Sequence, residues 1–124
     1  MRSNWLQLGF LMLSFAGSIS AMSIQAATLK LWTDVTTDGD VWTVIPHVTA
    51  HVGQELRYRI SASKEGPSGR SQTNQSGRIT VSSTGTGTLG SLHIGVGSRD
   101  HCDIAIEVFD GTELIGDITL QLPQ

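Results

Sequence analysis

The fold is indicated first by residues Glu55–Val81, which read ELRYRISASKEGPSGRSQTNQSGRITV. In the first nine residues apolar or small side chains alternate with polar ones, the period-two pattern of a half-buried strand. Gly66-Pro67-Ser68-Gly69 is then a predicted turn, because proline presets one backbone angle and glycine accepts conformations that other residues resist. A second strand follows the turn, and its basic and amide side chains are predicted to face outward. The stretch therefore predicts a hairpin with a polar outer face.

Seven residues of this hairpin are candidates for contact with a partner. They carry cationic or amide groups and are expected to form one outward strip: Arg57, Arg59, Lys64, Arg70, Gln72, Asn74 and Arg78. Two interpretations stay open. The strip can be a solvated structural face in which Arg57 and Arg59 pair across the sheet with acidic residues, for which Asp103 and Glu107 are the candidates. It can also capture a polar or oppositely charged chain. Spacing alone favours the solvated hairpin.

Alternating patterns continue on both sides of the hairpin. Besides its two strands, strands are predicted at Thr28–Thr36, Val41–Val52, Leu92–Val96, Cys102–Val108 and Leu114–Leu122. Pro46 lacks an N–H donor, so we expect its strand to be bulged there or to lie at an edge. Residues Ser83–Gly90 are predicted to be a flexible connection. About seven antiparallel strands without a helical pattern predict an all-β, immunoglobulin-like β-sandwich.

The first 27 residues have the composition of a secretory signal peptide. Arg2 precedes a largely apolar run, WLQLGFLMLSFAG at Trp5–Gly17, and small residues follow it. The run is too short and too interrupted for a membrane-spanning helix, which needs about 20 apolar residues. We therefore expect residues 1–27 to be removed on export. Residues 28–124 are expected to form one domain that does not insert into a membrane.

Charge is distributed unevenly along the chain. Without Arg2, the predicted domain has seven Lys and Arg residues against eleven Asp and Glu residues, a net charge of −4. Five of these seven bases lie between Arg57 and Arg78, and six acids lie after Arg99. We therefore expect one basic and one acidic side of the molecule. No nucleic-acid partner is expected.

No motif in the sequence predicts catalysis or a cofactor. Residues Gly85–Gly90 match G-x-G-x-x-G by letter, but that motif binds nucleotides only between a parallel strand and a helix. His47 and His51 would lie about 13 Å apart on a strand, too far to share a metal without other converging ligands. Cys102, the only cysteine, begins a strand with inward parity and is expected to be a buried, unreactive thiol. We expect neither an enzyme nor a metal or cofactor site.

Two segments resemble a known family. DVWTVIPHVT at Asp40–Thr49 and KEGPSGRSQTNQ at Lys64–Gln75, with Arg57 between them, closely resemble the curli-associated family of CsgC-like and CsgH-like periplasmic proteins. This resemblance implies an immunoglobulin-like sandwich that keeps secreted curli subunits from polymerising into amyloid in the periplasm. Some members carry Cys-x-Cys where this chain has Gln54-Glu55-Leu56, so a thiol redox role suggested by that pair cannot operate here.

The resemblance therefore implies a periplasmic, chaperone-like inhibitor whose client is an unfolded or early-aggregating curli subunit. The seven outward residues are then the expected client contacts, and a monomer is expected. A pilus-type chaperone or adhesin module that binds by strand addition is the alternative. A free N-terminal donor strand or an exposed hydrophobic groove would favour that alternative, but Thr28–Thr36 has the pattern of an integrated strand.

Overall fold

The computed structural model describes residues 29–124, which contain eight strands and no helix. The strands are β1 (Lys30–Asp38), β2 (Val41–Thr49), β3 (Glu55–Gly66), β4 (Gly69–Thr80), β5 (Thr86–Thr88), β6 (Leu92–Gly95), β7 (His101–Asp110) and β8 (Glu113–Leu122). The all-β prediction is confirmed. The predicted signal peptide, residues 1–27, lies outside the described residues. Within residues 29–124, no segment forms an apolar helix of membrane-spanning length.

The strands form two antiparallel sheets that pack face to face. In the first, sheet A, β2 lies between β1 on one side and the short strands β5 and β6 on the other. In the second, sheet B, the order is β4-β3-β7-β8. Alternate residues of the two sheets meet in the core, which includes Val44, Val48, Leu56, Ile60, Ile104 and Ile106, each at most 1% exposed. This is the immunoglobulin-like sandwich that the alternation predicted.

The strand count is eight rather than about seven, because β5 lies in the segment predicted to be a flexible connection. Its three residues pair with His47–Thr49 of β2. Gly87 of β5 lies so close to Ile79 that a Cβ at this position would overlap the Ile79 side chain. The pairing with β2 is distant in sequence, and three residues are too few to show a period. Residues Thr86–Thr88 are a strand because they pair with β2, and the local sequence pattern does not predict such a pairing.

Pro46 lies in a central strand, so the prediction of a bulge or an edge was wrong. β1 pairs with β2 along its full length without a register shift. On the other side of β2, β6 ends its pairing at Val44 and β5 begins at His47. Pro46 therefore lies at a gap where the ladder is already interrupted, and its missing N–H leaves no ladder partner unpaired. Its carbonyl still accepts from Leu89 N at 2.9 Å.

The hairpin that indicated the fold is present and is longer than its alternating pattern. β3 and β4 have 12 residues each, pair without a register shift, and are joined by the two-residue turn Pro67-Ser68. Tyr58 packs against the inner side of β4. Its hydroxyl oxygen would lie only 2.7 Å from a Cβ at Gly77. A glycine is therefore required where β4 crosses the tyrosine ring.

Candidate functional site on the outer face of sheet B

Six of the seven candidate residues share the outer face of sheet B. Residues opposite each other in an antiparallel ladder lie on one face, and the β3–β4 register pairs Arg57 with Arg78, Arg59 with Ser76, Ser61 with Asn74, Ser63 with Gln72 and Glu65 with Arg70. All six candidates on this face are exposed. The predicted outward orientation is therefore confirmed for Arg57, Arg59, Arg70, Gln72, Asn74 and Arg78. Their part in binding stays a prediction.

Lys64 departs from the expected strip. It has the parity of Ala62, which is 1% exposed, and therefore points to the inner side of sheet B. At the end of the sandwich its Nζ donates to the Gly95 carbonyl of β6 at 2.8 Å. Continuing the alternation of Ile60 and Ala62 by two residues assigns Lys64 to the inner side. Because the residues after Ser63 are mostly polar, the sequence shows no apolar face there that would mark this side. Lys64 joins the two sheets and does not lie on the outer face.

Arg59 is held by two neighbours on β7. Its Nε and Nη2 lie 3.0 and 2.9 Å from Oε1 of Glu107, and its Cζ lies 5.4 Å from the centroid of the Phe109 ring. Pairing across β3 and β7 therefore holds for Arg59. It does not hold for Arg57, whose Nη1 donates to the Gly111 carbonyl at 3.0 Å. Of the two arginines on β3, Arg59 is consequently the one with a structural ion pair.

The two arginines of β4 have looser partners. Arg70 Nη2 lies 3.2 Å from Glu65 Oε2, and Arg78 Nη1 lies 3.8 Å from Glu55 Oε2. The side chains of Arg70 and Arg78 are 83% and 70% exposed, so each pair is worth only about 0–1 kcal/mol. A guanidinium has five N–H donors. Both arginines therefore keep donors for a second partner.

Both charge signs lie on this one face, side by side. The basic half, formed by β4 and β3, carries Arg57, Arg59, Arg70 and Arg78, with Glu55 and Glu65 at the ends of β3. The acidic half, formed by β7 and β8, carries Asp103, Glu107 and Asp117. The expected basic and acidic sides of the molecule are thus two halves of a single surface, and the Arg59–Glu107 pair lies at their boundary.

A shallow depression of about 640 Å³ crosses the middle of the same face. Small side chains from three strands line it, namely Ser61, Ser63, Ala105 and Thr119, and Gln72 borders it on β4. The depression runs across all four strands and so connects the basic half to the acidic half. Gln72, Asp103 and Gln121 also line the depression, but beside the short side chains of the other lining residues the backbone of an extended chain can approach the sheet closely.

The other candidates for chemistry lie apart from this face. His47 Nε2 is 2.8 Å from Asp34 Oδ2 on the outer face of sheet A, and its ring stacks on Trp32. His51 lies beyond the end of β2. Residues 29–124 contain no group of three or more side chains placed to hold a metal. Residues Gly85–Gly90 run through the antiparallel strand β5, which lacks the helix N-terminus that a nucleotide motif requires.

Cys102 is fully buried, as its inward parity predicted. Burial raises the pKa of its thiol above the ordinary range, the charge of Asp103 acts in the same direction, and that of Lys64 opposes them. A buried thiol with a raised pKa is a poor nucleophile. Cys102 therefore belongs to the core and not to a reactive site.

Comparisons with known proteins identify the family of this chain. A family model described as thin aggregative fimbriae synthesis protein matches residues 22–121. The curli assembly protein CsgC of Escherichia coli K12 is 31% identical over 91 residues, which cover 73% of this chain and 83% of that protein. The curli assembly protein CsgC of Salmonella typhimurium LT2 is 30% identical over 79 residues, which cover 64% and 73%.

Two solved structures share the sandwich. That of the E. coli curli protein CsgC aligns with a TM-score of 0.59 and 28% identity, covering 78% of this chain and 100% of that chain. The solution structure of R. palustris CsgH aligns with a TM-score of 0.53 and 20% identity over 76% and 88%, a similarity that concerns the fold alone. From the family model and the CsgC relatives together, the chain belongs to the thin aggregative fimbriae synthesis family, which contains the curli assembly protein CsgC.

Proposed function

We propose that this protein acts in curli assembly as a periplasmic, chaperone-like inhibitor that keeps a curli subunit from polymerising before secretion. The family supports the coarse part of the proposal, since the relatives are curli assembly proteins and the family is not a known enzyme family. One observation carries the finer part, namely the six polar and basic candidate residues gathered on the outer face of sheet B. The composition of residues 1–27 supports export.

The outer face suits weak and repeated capture of an unfolded, polar chain. Its exposed arginines attract carboxylates over about one Debye length, roughly 8 Å at physiological salt. Charged contacts of this kind raise the rate of encounter more than they lengthen the life of the complex. Gln72 and Asn74 add amide donors and acceptors between the charges, and the depression beside Gln72 admits an extended backbone. A client segment held there is withheld from a growing fibril.

Thiol exchange has no part in this mechanism. Cys102 is the only cysteine in the sequence, and its side chain is fully buried. Neither a partner thiol nor access for a client thiol is available to it. Inhibition is therefore proposed to depend on non-covalent contacts, and reducing agents should not change it.

The alternative of a pilus-type module that donates its own N-terminal strand loses support. β1 pairs with β2 at every residue from Lys30 to Asp38. Using it as a donor strand would require breaking this ladder and exposing the core beneath it. The described residues therefore offer no free strand for donation near the start of the domain.

Fibril growth of a purified curli subunit tests the proposal. The exported protein is added at increasing ratios while fibrils are followed by thioflavin fluorescence, and an unrelated acidic immunoglobulin-like domain serves as the control. We expect a lag time that lengthens with the amount of this protein and not with the control. An unchanged lag at equimolar ratio would contradict the proposed function.

A further inference from the structure

The strand β4 forms a long, open edge of sheet B. It is the terminal strand of its sheet and has 12 residues. Most of these residues are exposed, and they include side chains on both faces of the sheet. Sheet A reaches only part of it: Gln75 Nε2 donates to the Ser91 carbonyl at 2.8 Å, whereas Ser71 and Thr73 on the same inner side are exposed. The half of β4 nearest the turn is therefore accessible along its edge and from both faces.

The backbone groups on this open edge can be assigned from the ladder. Val81 N donates to the Gln54 carbonyl at 2.9 Å and continues the β3–β4 pairing. In an antiparallel ladder every second residue bonds to a given neighbour, so bonds to β3 fall on Val81, Ile79, Gly77, Gln75, Thr73 and Ser71. The backbone N–H and C=O groups of the intervening residues point to the open edge. These residues are Arg70, Gln72, Asn74, Ser76, Arg78 and Thr80.

Among the edges of the two sheets, the middle of β4 lacks the devices that usually prevent pairing. Proteins protect edges with charged side chains, proline, bulges or very short strands. β5 and β6 have only three and four residues, β1 carries Lys30, Asp34 and Asp38, and β8 contains a register shift and is approached by the Leu29 side chain at Gly116. The segment Ser71–Gly77 of β4 has no charge, no proline and no bulge.

The side chains of β4 select what can pair there. Gln72 and Asn74 face the same side as Arg70 and Arg78, which are eight positions apart and enclose the uncharged segment. Amide side chains form ladders with amides of an added strand, and arginines favour carboxylates opposite them. When a second copy of this chain pairs antiparallel about Asn74, Arg70 of each copy lies opposite Arg78 of the other, which is unfavourable. The edge therefore suits a different chain.

We propose that β4 binds an extended client segment, rich in Asn and Gln and with carboxylates about eight residues apart, as an added antiparallel strand of sheet B. This inference rests on the proposed function, and it assigns the manner in which the client is held. Main-chain hydrogen bonds from Gln72, Asn74 and Ser76 carry the binding, and the two arginines set its register. One edge of the bound client segment is then paired with β4 and is unavailable for pairing with another subunit in a fibril.

Proline substitution at residues whose N–H groups face the open edge tests this mode directly. Gln72→Pro with Asn74→Pro removes two outward donors without touching the ladder to β3, a placement that edge strands tolerate. The matched control, Gln72→Ala with Asn74→Ala, removes the same amides and keeps both N–H groups. We expect the alanine pair to inhibit less than the parent, because its amide contacts are gone, and the proline pair to inhibit curli-subunit fibrils about tenfold less than the alanine pair.

The outcomes separate this inference from the proposed function. A parent protein that leaves the fibril lag unchanged overturns the proposed function, and the inference with it. If the parent inhibits and the folded proline pair inhibits equally well, the inference alone is overturned. The same holds if the alanine pair loses as much as the proline pair, because side chains rather than the backbone edge would then hold the client.

Amide hydrogen exchange of the unmutated protein gives a second test that does not depend on a variant folding. Gln72, Asn74 and Ser76 should exchange rapidly in the free protein and at least about tenfold more slowly with excess curli subunit. Thr73 and Gln75 are already bonded to β3 and should change little. Unchanged exchange at the three outward amides under inhibiting conditions overturns the inference. So does a dimer of the free protein that already protects them, since a second copy would then occupy the edge.

Discussion

Lys64 and Gly95 join the two sheets, because the lysine ammonium on β3 donates a 2.8 Å hydrogen bond to the backbone carbonyl on β6. Arg70, six positions further along the chain, lies on the opposite face of sheet B and has only an exposed ion pair with Glu65. Two cations that look equivalent in the sequence thus have different environments. The one supports the packing of the sheets, and the other is free to meet a partner.

Replacing these two cations by methionine should therefore have opposite consequences. Lys64→Met removes the bond to Gly95 and should lower the free energy of unfolding by about 0.5–1.5 kcal/mol while leaving fibril inhibition unchanged. Arg70→Met should change stability by less than about 0.5 kcal/mol and weaken inhibition. Urea unfolding and fibril lag times measure the two quantities. A Lys64→Met protein that is as stable as the parent but inhibits poorly would place Lys64 among the client contacts after all.

Gly77 should not tolerate even a methyl group. A Cβ at this position would lie 2.7 Å from the Tyr58 hydroxyl oxygen, so Gly77→Ala should cost about 1–3 kcal/mol of stability through overpacking. Gly95→Ala is the matched control, because a Cβ there meets nothing within 4 Å. It should change stability by no more than about 0.5 kcal/mol. Equal melting temperatures of the two variants would show that the Tyr58 ring moves aside freely.

The buried thiol of Cys102 should reduce stability at alkaline pH. Burial raises its pKa in the folded chain, whereas an unfolded cysteine ionises near about pH 8.5. The contribution of the neutral thiol is thus complete below that pH and is lost as the pH rises toward the folded pKa. Cys102→Ala should abolish this part of the loss in unfolding titrations between about pH 8 and 10. A native protein that reacts with iodoacetamide as fast as the unfolded chain at pH 8.5 would contradict the assignment.

Substituting the same residue by serine separates structure from function. Cys102→Ser places a hydroxyl without a partner in the core and should cost about 1–3 kcal/mol. The folded variant should still inhibit fibril growth, because the proposed mechanism uses no thiol. A folded Cys102→Ser protein without inhibitory activity would show that the chemistry of inhibition involves this core position.

Local alternation predicted most of the fold, and long-range pairing decided the rest. The hairpin of β3 and β4 shows its period within its own residues, so its turn and the outward set on β4 could be predicted. The setting of Pro46 and the existence of β5 depend on which strands flank β2, a fact that neither segment contains. For Arg59 the sequence offered Asp103 and Glu107 as partners, and the register of β3 against β7 places Glu107 opposite it.

Arg57 and Arg70, whose contacts with Gly111 and Glu65 are exposed, should carry the electrostatic part of client capture. Arg57→Gln with Arg70→Gln removes two charges without disturbing the Arg59–Glu107 pair, and Asp103→Asn with Asp117→Asn makes the matched change on the acidic half. Exposed charge contacts are worth about 0.2–1 kcal/mol each, so the variant that lacks both arginines should inhibit roughly two- to thirtyfold less than the parent. Its melting temperature should move little, since the ion pair of Arg70 is exposed and Arg57 contacts a loop carbonyl.

The variant with Asp103→Asn and Asp117→Asn, together with added salt, shows whether inhibition depends on the basic surface or on the net charge of the protein. Neutralising two acids makes the protein less negative, and it should leave inhibition intact or strengthen it if the client is acidic. Raising the salt concentration shortens the Debye length from about 8 Å at physiological salt to about 3 Å at 1 M. The parent should then inhibit less. The variant with Arg57→Gln and Arg70→Gln has fewer charges to screen, so added salt should reduce its inhibition by a smaller factor. If the variant with Arg57→Gln and Arg70→Gln inhibits as well as the parent at every salt concentration, the open edge of β4 holds the client without help from these charges.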